Sequence, residues 1–177
     1  MHLLPGQRLP ALNARLSTGE PWTLAAEAAA KLALVVFYRG YFCPVCRVWV
    51  SDLDAAVPEF EKRGYSVIAL TCDDAVNVTK ARAAWGLKTL RMAGELNPEE
   101  ARLAGLYISE GRGVNPSNGE KEPRLFTEPG MLAVKPDGTL YAAWVQSVPY
   151  ARPHFSEVLT ALDTFMARDL PPVRGAA

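Results

Sequence analysis

Residues Leu32 to Tyr38 form an unbroken apolar run of strand length, and Arg39-Gly40-Tyr41-Phe42 lead straight from it into Cys43-Pro44-Val45-Cys46. A strand that is apolar at every position has to be covered on both faces, as central parallel strands are. The segment after the cysteines has helical period: Val45, Trp49, Leu53, Val57 and Phe60 recur at spacings of three and four, so Trp49 and Leu53 belong to an inner face. Pro58 should kink this helix, and Lys62-Arg63-Gly64 supply the cations and glycine of a helix end. Tyr65 to Thr71 then reads as a second strand, and Asp73 or Asp74 can cap a helix running through Val78 to Trp85. The order βαβα predicts an α/β sheet protein.

The flanking segments fit around that core. Leu12, Ala14 and Leu16 alternate with polar residues and, with Ser17-Thr18-Gly19-Glu20 before Trp22-Thr23-Leu24, predict an N-terminal β-hairpin. Ala25 to Lys31 reads as a short alanine-rich helix or turn, and Thr89 to Met92 as a weak strand. Asn97-Pro98-Glu99-Glu100 opens a helix expected over Glu99 to Leu106: a cap, a proline in the first turn, and two acids at the positive dipole end. Ser109 to Pro129, rich in Gly, Pro, Asn and charge, reads as a long surface loop of the kind that is often functional. Met131 to Val134 and Leu140 to Gln146, joined by Lys135-Pro136-Asp137-Gly138, predict a hairpin. Phe155, Val158, Leu159, Leu162, Phe165 and Met166 mark a last amphipathic helix, with a loose tail expected from Asp169.

At 177 residues, with no repeat or linker, the expectation is one domain over residues 1–177. Nineteen basic and nineteen acidic residues give zero formal charge, which leaves no field to hold a phosphate backbone and argues against nucleic-acid binding. No run is long enough to span a membrane, and the first residues lack a secretory pattern, so a cytoplasmic location is expected. In a reducing compartment a CxxC pair is redox-active or metal-binding more often than structural. Between a buried strand and a helix, it sets Cys43 at the N-cap and Cys46 at the third helical position, where N–H groups and the dipole favour thiolate on both. Arg39 and Arg47 flank the pair and can lower the thiolate energy further. A zinc site would have to draw on Cys72, His2 and His154 with no second close pair, so no metal is expected. Cys72, ending a hydrophobic strand, reads as a small buried filler.

The stretch Phe37-Tyr38-Arg39-Gly40-Tyr41-Phe42-Cys43-Pro44-Val45-Cys46, followed by helix, strand and Asp73-Asp74, resembles the peroxiredoxin-like branch of the thioredoxin superfamily, the alkyl hydroperoxide reductase/thiol-specific antioxidant group. The resemblance runs from the opening hairpin to the last helix. It implies a thioredoxin-like α/β fold, a central mixed β-sheet flanked by helices with an N-terminal β-hairpin, and a thiol peroxidase without metal or bound organic cofactor. In that family the strand ends Phe-Tyr-Pro and is followed by Thr-x-x-Cys. Residue on residue, Cys46 falls on the peroxidatic cysteine and Cys43 on the threonine, which implies a sulfenic acid on Cys46 resolved by Cys43 as an intramolecular disulfide. The family proline is Arg39 here, and the family's peroxide-binding arginine falls on Pro129, leaving Arg124 or Arg152 to substitute.

The same positions resemble thioredoxin-type dithiol enzymes, in which Cys43 would be the nucleophile toward a protein disulfide and Pro129 would match the cis-proline facing the pair. Either way the expected partners are a peroxide or protein-disulfide substrate and a thiol reductant such as thioredoxin, glutaredoxin or glutathione, with a homodimer allowed. A third class is a binding module with idle thiols, for which Tyr41, Phe42, Tyr107 and Tyr150 are candidate contact residues. Gln146 to His154 resembles a stretch that recurs in the peroxiredoxin-like branch, and His154, lying before a helix, reads as a capping or surface residue.

Overall fold

In a computed structural model that describes residues 3–27, 29 and 31–167, the chain runs β1 (Asn13–Leu16), β2 (Pro21–Thr23), β3 (Leu32–Phe37), α1 (Pro44–Glu61), β4 (Tyr65–Leu70), α2 (Ala75–Ala84), β5 (Arg91–Gly94), α3 (Pro98–Leu103), β6 (Ile108–Glu110), β7 (Leu125–Thr127), β8 (Gly130–Val134), β9 (Leu140–Val145) and α4 (Phe155–Ala167). Seven strands form one mixed sheet in the order β2-β1-β5-β4-β3-β8-β9, and β6 pairs with β7 in a separate ribbon. The β3–β4 and β4–β5 pairs are parallel, while β8 and β9 extend the sheet antiparallel. The N-terminal hairpin joins the same sheet antiparallel to β5.

The unbroken hydrophobicity of β3 is explained by two cores. Side chains alternate across a strand, so Leu32, Leu34 and Val36 pack with Leu53, Val57, Phe60, Val158 and Leu162 of the α1 and α4 layer. Ala33, Val35 and Phe37 pack on the other face with Ile68, Leu70, Leu132, Leu140 and Ala101 of α3. Every β3 residue is at most 4% exposed, and truncating Phe37 to alanine should cost about 3–5 kcal/mol through lost transfer energy and a cavity.

Local chemistry sets the helix boundaries. Cys43 is the N-cap of α1 with Pro44 in the first turn, Asp74 caps α2 and Asn97 caps α3. α1 continues past Pro58, whose missing N–H would leave the Asp54 carbonyl unpaired. Thr89 Oγ1 donates to that carbonyl at 2.9 Å. The Asp54 carboxylate meanwhile accepts the Lys88, Thr89 and Leu90 N–H groups ahead of β5.

Several expectations are corrected. Ser109 to Pro129 is no open loop: β6 and β7 pair antiparallel, and a bridge between Val114 and Lys121 continues the ribbon. The third parallel strand lies at Arg91–Gly94, later than Thr89 to Met92, and α3 stops at Leu103. The alanine-rich segment contributes a single 3-10 turn, Leu24–Ala26, capped by Thr23, with residues 28 and 30 outside the described ones. The tail expected from Asp169, and His2, also lie outside them. Among the described residues no helix is long and apolar enough to cross a membrane.

Candidate active site

The site is built at the C-terminal end of β3, where a short segment turns the chain into α1. Gly40 sits at φ +144°, and a Cβ there would come within 2.7 Å of Asp73 Oδ2. That close approach lets the Asp73 carboxylate accept the Tyr41 N–H at 2.6 Å, pinning the turn to the end of β4. The Cys43 N–H donates to Gly40 O at 3.2 Å. As N-cap, Cys43 accepts the Cys46 N–H on Sγ at 3.3 Å, so its sulfur takes the place usually filled by a serine or aspartate oxygen. Both cysteines are free thiols, 1% and 0% exposed.

Two guanidinium groups face the sulfurs. Arg152 Nη2 lies 3.3 Å from Cys46 Sγ and 3.9 Å from Cys43 Sγ. Arg39 Nη1 approaches Cys43 Sγ at 3.9 Å. Arg152 is delivered by the segment between β9 and α4, where Ala151 adopts a left-handed φ of +57° and its carbonyl accepts from Gln146 Nε2 at 2.6 Å. Arg152 Nε donates to Pro149 O, its guanidinium lies 4.9 Å over the Trp49 ring, and Trp49 Nε1 donates to Pro153 O. The recurring stretch from Gln146 to His154 thus has a physical role: it carries a cation back to the helix start. His154 caps α4, its carbonyl accepting from Glu157 N and Val158 N, and takes no part among the sulfurs.

Charge within the pair is unequal. The hydrogen bond from the Cys46 thiol is the largest influence on Cys43, and with the Cys46 N–H, Arg152 and Arg39 it outweighs burial to bring the Cys43 thiol down to about 5. Complete burial pushes the Cys46 thiol well above the ordinary range, and the neighbouring Cys43 acts in the same direction against Arg152. The expectation of thiolate on both sulfurs is therefore corrected: two sulfurs in contact hold one negative charge between them, the Cys43 thiol being lowered and the Cys46 thiol raised, with Arg39 and Arg152 both facing Cys43 and Arg152 also facing Cys46. A helix N-terminus cannot stabilise two thiolates in contact, because the second meets strong Coulomb repulsion in a buried site of low dielectric.

The remaining candidates separate cleanly. Arg124 is exposed and lines a different groove, with Cys72, Asp73, Asp74 and Lys121, so it does not substitute for the family arginine. Pro129 is buried and its preceding peptide bond is trans, which removes the match to a cis-proline; its carbonyl accepts from Gln146 N. Arg47 is exposed to solvent. Phe42 is buried against Phe126 and Tyr41 stacks on Trp85, whereas Tyr107 and Tyr150 are exposed. Cys72 is mostly buried, as a filler would be, and burial pushes its thiol up to about 12.

Five residues were given no part in the site by the sequence. Asn115 and Asn118, at the tip of the β6–β7 ribbon, both donate their side-chain amides to Phe42 O, the carbonyl immediately before Cys43. Glu128, 5% exposed, faces Arg39. Tyr38, which follows β3, and Asp73, which accepts the Tyr41 N–H, complete the surroundings: burial, with the charges of Asp73 and Cys46, drives the Tyr38 phenol well up, and burial raises Asp73 to about 6. The paired asparagines were visible in sequence as an Asn-x-x-Asn within a Gly-rich stretch, but nothing local tied them to position 42.

The pattern of the AhpC/TSA family matches residues 5–143. Among solved structures, the fold is similar to peroxidoxin BcpB from Mycobacterium tuberculosis (TM-score 0.71, 16% identity, covering 92% of this chain and 98% of that one). It is similar to AhpC from the same organism (0.71, 20% identity, 96% and 97%) and to a cysteine-to-serine mutant of PrxQ from Xylella fastidiosa (0.70, 19% identity, 94% and 99%). No curated protein sequence matches the chain.

Proposed function

The chain belongs to the AhpC/TSA family and is a thiol peroxidase of that type, and from that premise we propose that it reduces hydroperoxides through Cys43 and Cys46, with the disulfide between them as product. The observation that carries this is the sharing of one guanidinium, Arg152, by both sulfurs at the start of α1. A thiolate is the nucleophile and a cation beside it keeps it ionised at neutral pH.

Cys43 attacks first in this reading, because two guanidinium groups, Arg39 and Arg152, face its sulfur and favour its thiolate. Its sulfur bonds to one peroxide oxygen, the O–O bond breaks, and the leaving oxygen takes a proton as alcohol or water. The Cys46 thiol then displaces the hydroxyl of the Cys43 sulfenic acid, forming the S–S bond and releasing water before further oxidation occurs. Two thiols and one peroxide give one disulfide, one alcohol and one water. Two electrons from a thiol reductant of the thioredoxin, glutaredoxin or glutathione class then restore the pair. This order is opposite to the one the register on Thr-x-x-Cys implies, and the two guanidinium groups facing Cys43 are the reason.

The test is rapid mixing of reduced protein with hydrogen peroxide, followed by trapping and mass spectrometry. Fast loss of two thiols as a Cys43–Cys46 disulfide is expected. Cys46→Ser should still form a sulfenic acid on Cys43, while Cys43→Ser should react no faster than a free thiol; the reverse pattern would restore the Cys46-first order. The low-lying Cys43 thiolate also supports a second reading, dithiol–disulfide oxidoreductase. Slow reaction with peroxide together with fast oxidation by a protein disulfide would favour it.

A further inference from the structure

The family arginine register falls on Pro129, and its immediate neighbour in this chain is an acid. Glu128 is 5% exposed, held at the end of β7 by its N–H bond to Tyr107 O. Its Oε1 accepts from Ser109 Oγ at 2.6 Å, and its Oε2 lies 3.3 Å from Arg39 Nε. That contact is an ion pair without hydrogen-bond alignment, since neither Arg39 Nε nor Glu128 Oε2 makes a hydrogen bond among the described residues. The Arg39 guanidinium packs 4.8 Å from the Phe126 ring and 5.3 Å from Phe42, and presents Nη1 to Cys43. Arg39 occupies the position where the resemblance places a proline, so the rigid turn residue is replaced by a long side chain that must be aimed. A buried carboxylate with one oxygen already fixed by a serine is a suitable anchor, because the guanidinium fork then has few other directions to take.

We infer that Glu128 is a positioning residue: with Ser109 behind it, it aims Arg39 at Cys43 and so sustains the Cys43 thiolate through Arg39. Arg152 has no such carboxylate among the described residues, its polar contacts being the sulfurs and Pro149 O. The two cations are therefore held by different means, Arg39 by a buried carboxylate and Arg152 by the Pro149 carbonyl and the Trp49 ring. This inference rests on the reading that Cys43 carries the charge. The groups facing Cys43 are Cys46, Arg39 and Arg152, and the Tyr38 phenol feels both Cys46 and Asp73.

Two opposing effects give the test its direction. If Glu128 acted only as a buried negative charge, removing it would strengthen the pull of Arg39 and make Cys43 ionise at lower pH. If it aims Arg39, removing it makes Cys43 ionise at higher pH. The experiment is the pH profile of iodoacetamide alkylation at Cys43, resolved by mass spectrometry, for wild type, Glu128→Gln, Arg39→Met and the double variant. Glu128→Gln should lower the Cys43 thiolate fraction at pH 5 by about threefold, as should Arg39→Met. In the Arg39→Met background Glu128→Gln should change nothing, because the effect runs through Arg39. The double variant leaves no unpaired buried charge, so it keeps the test open should the single Glu128 variant fold poorly. A downward shift in Glu128→Gln, or an unchanged effect of Glu128→Gln without Arg39, overturns the inference. A wild-type Cys43 that ionises only near the free-thiol range instead overturns the underlying placement of the charge.

Discussion

Cys43 and Cys72 lie at the same end of the sheet, one following β3 and the other following its parallel neighbour β4, yet their thiols are driven in opposite directions. Both are largely out of water. Cys72 has burial and the adjacent Asp73 against it, offset only by a backbone bond at Thr127, and rises to about 12. Cys43 has a hydrogen-bonding thiol, a helix-start N–H and two guanidinium groups, and falls to about 5. Burial by itself keeps a thiol protonated; a reactive one has to be surrounded by donors and cations already held in place. The chain gathers Arg39, Arg152 and Trp49 around one cysteine, whereas among the described residues Cys72 shares its groove with the acids Asp73, Asp74 and Glu122 as well as with Lys121 and Arg124.

The largest effect that can break this contrast is removal of the sulfurs themselves. Cys43→Ser should slow thiol loss to hydrogen peroxide on the order of 10³-fold, whereas Cys72→Ser should leave the rate within about twofold, both read by stopped-flow mixing. Next comes the cation shared by the pair. Arg152→Met should raise the pH at which Cys43 ionises by roughly two units, lowering its alkylation rate at pH 6 by about tenfold, with no change at Cys72.

Stability should follow pH with opposite signs at the two sites. Cys43 is depressed in the folded state, so its contribution is present above the unfolded value near 8.5–9 and is lost as pH falls through about 5. Cys72 is raised, so its contribution is present below the unfolded value and is lost as pH rises through about 12. The denaturation free energy of reduced wild type relative to Cys43→Ser should therefore grow between pH 5 and 8, on the order of 3 kcal/mol. The same comparison for Cys72→Ser should be flat in that window. The smallest effect concerns the ribbon: Asn115→Ala with Asn118→Ala should cost about 1 kcal/mol through the lost bonds to Phe42 O, measured by denaturant midpoint, and should leave Cys72 reactivity unchanged.

Those residues also show what a linear reading can and cannot reach. The β3 run, the Cys43 cap, Pro44, Asp74 and Asn97 act on neighbours a few residues away, and their patterns were sufficient to place the elements and the cysteine pair. The α/β order followed from the same local patterns, and the thioredoxin-like sheet from the family resemblance carried by residues 37–46. Contributions that cross the chain were not legible. Arg152 and Arg124 were equal candidates until the left-handed turn at Ala151 and the Trp49 ring placed one of them on the sulfurs, more than a hundred residues from its partner. The ribbon looked like a loop because its strands are three residues long and its middle is Gly-rich. Inequality between Cys43 and Cys46 could not be read from a helix-dipole argument, which treats both positions alike; it comes from their contact with each other.

The most direct measurement is therefore the pH dependence of alkylation in the reduced wild-type protein, followed separately at Cys43, Cys46 and Cys72 by mass spectrometry. Modification of Cys43 alone, with a midpoint near 5 and Cys46 and Cys72 inert through neutral pH, is the predicted result. Cys46 ionising at lower pH than Cys43, or all three thiols ionising near the free value, would contradict the placement of the charge on which the mechanism depends.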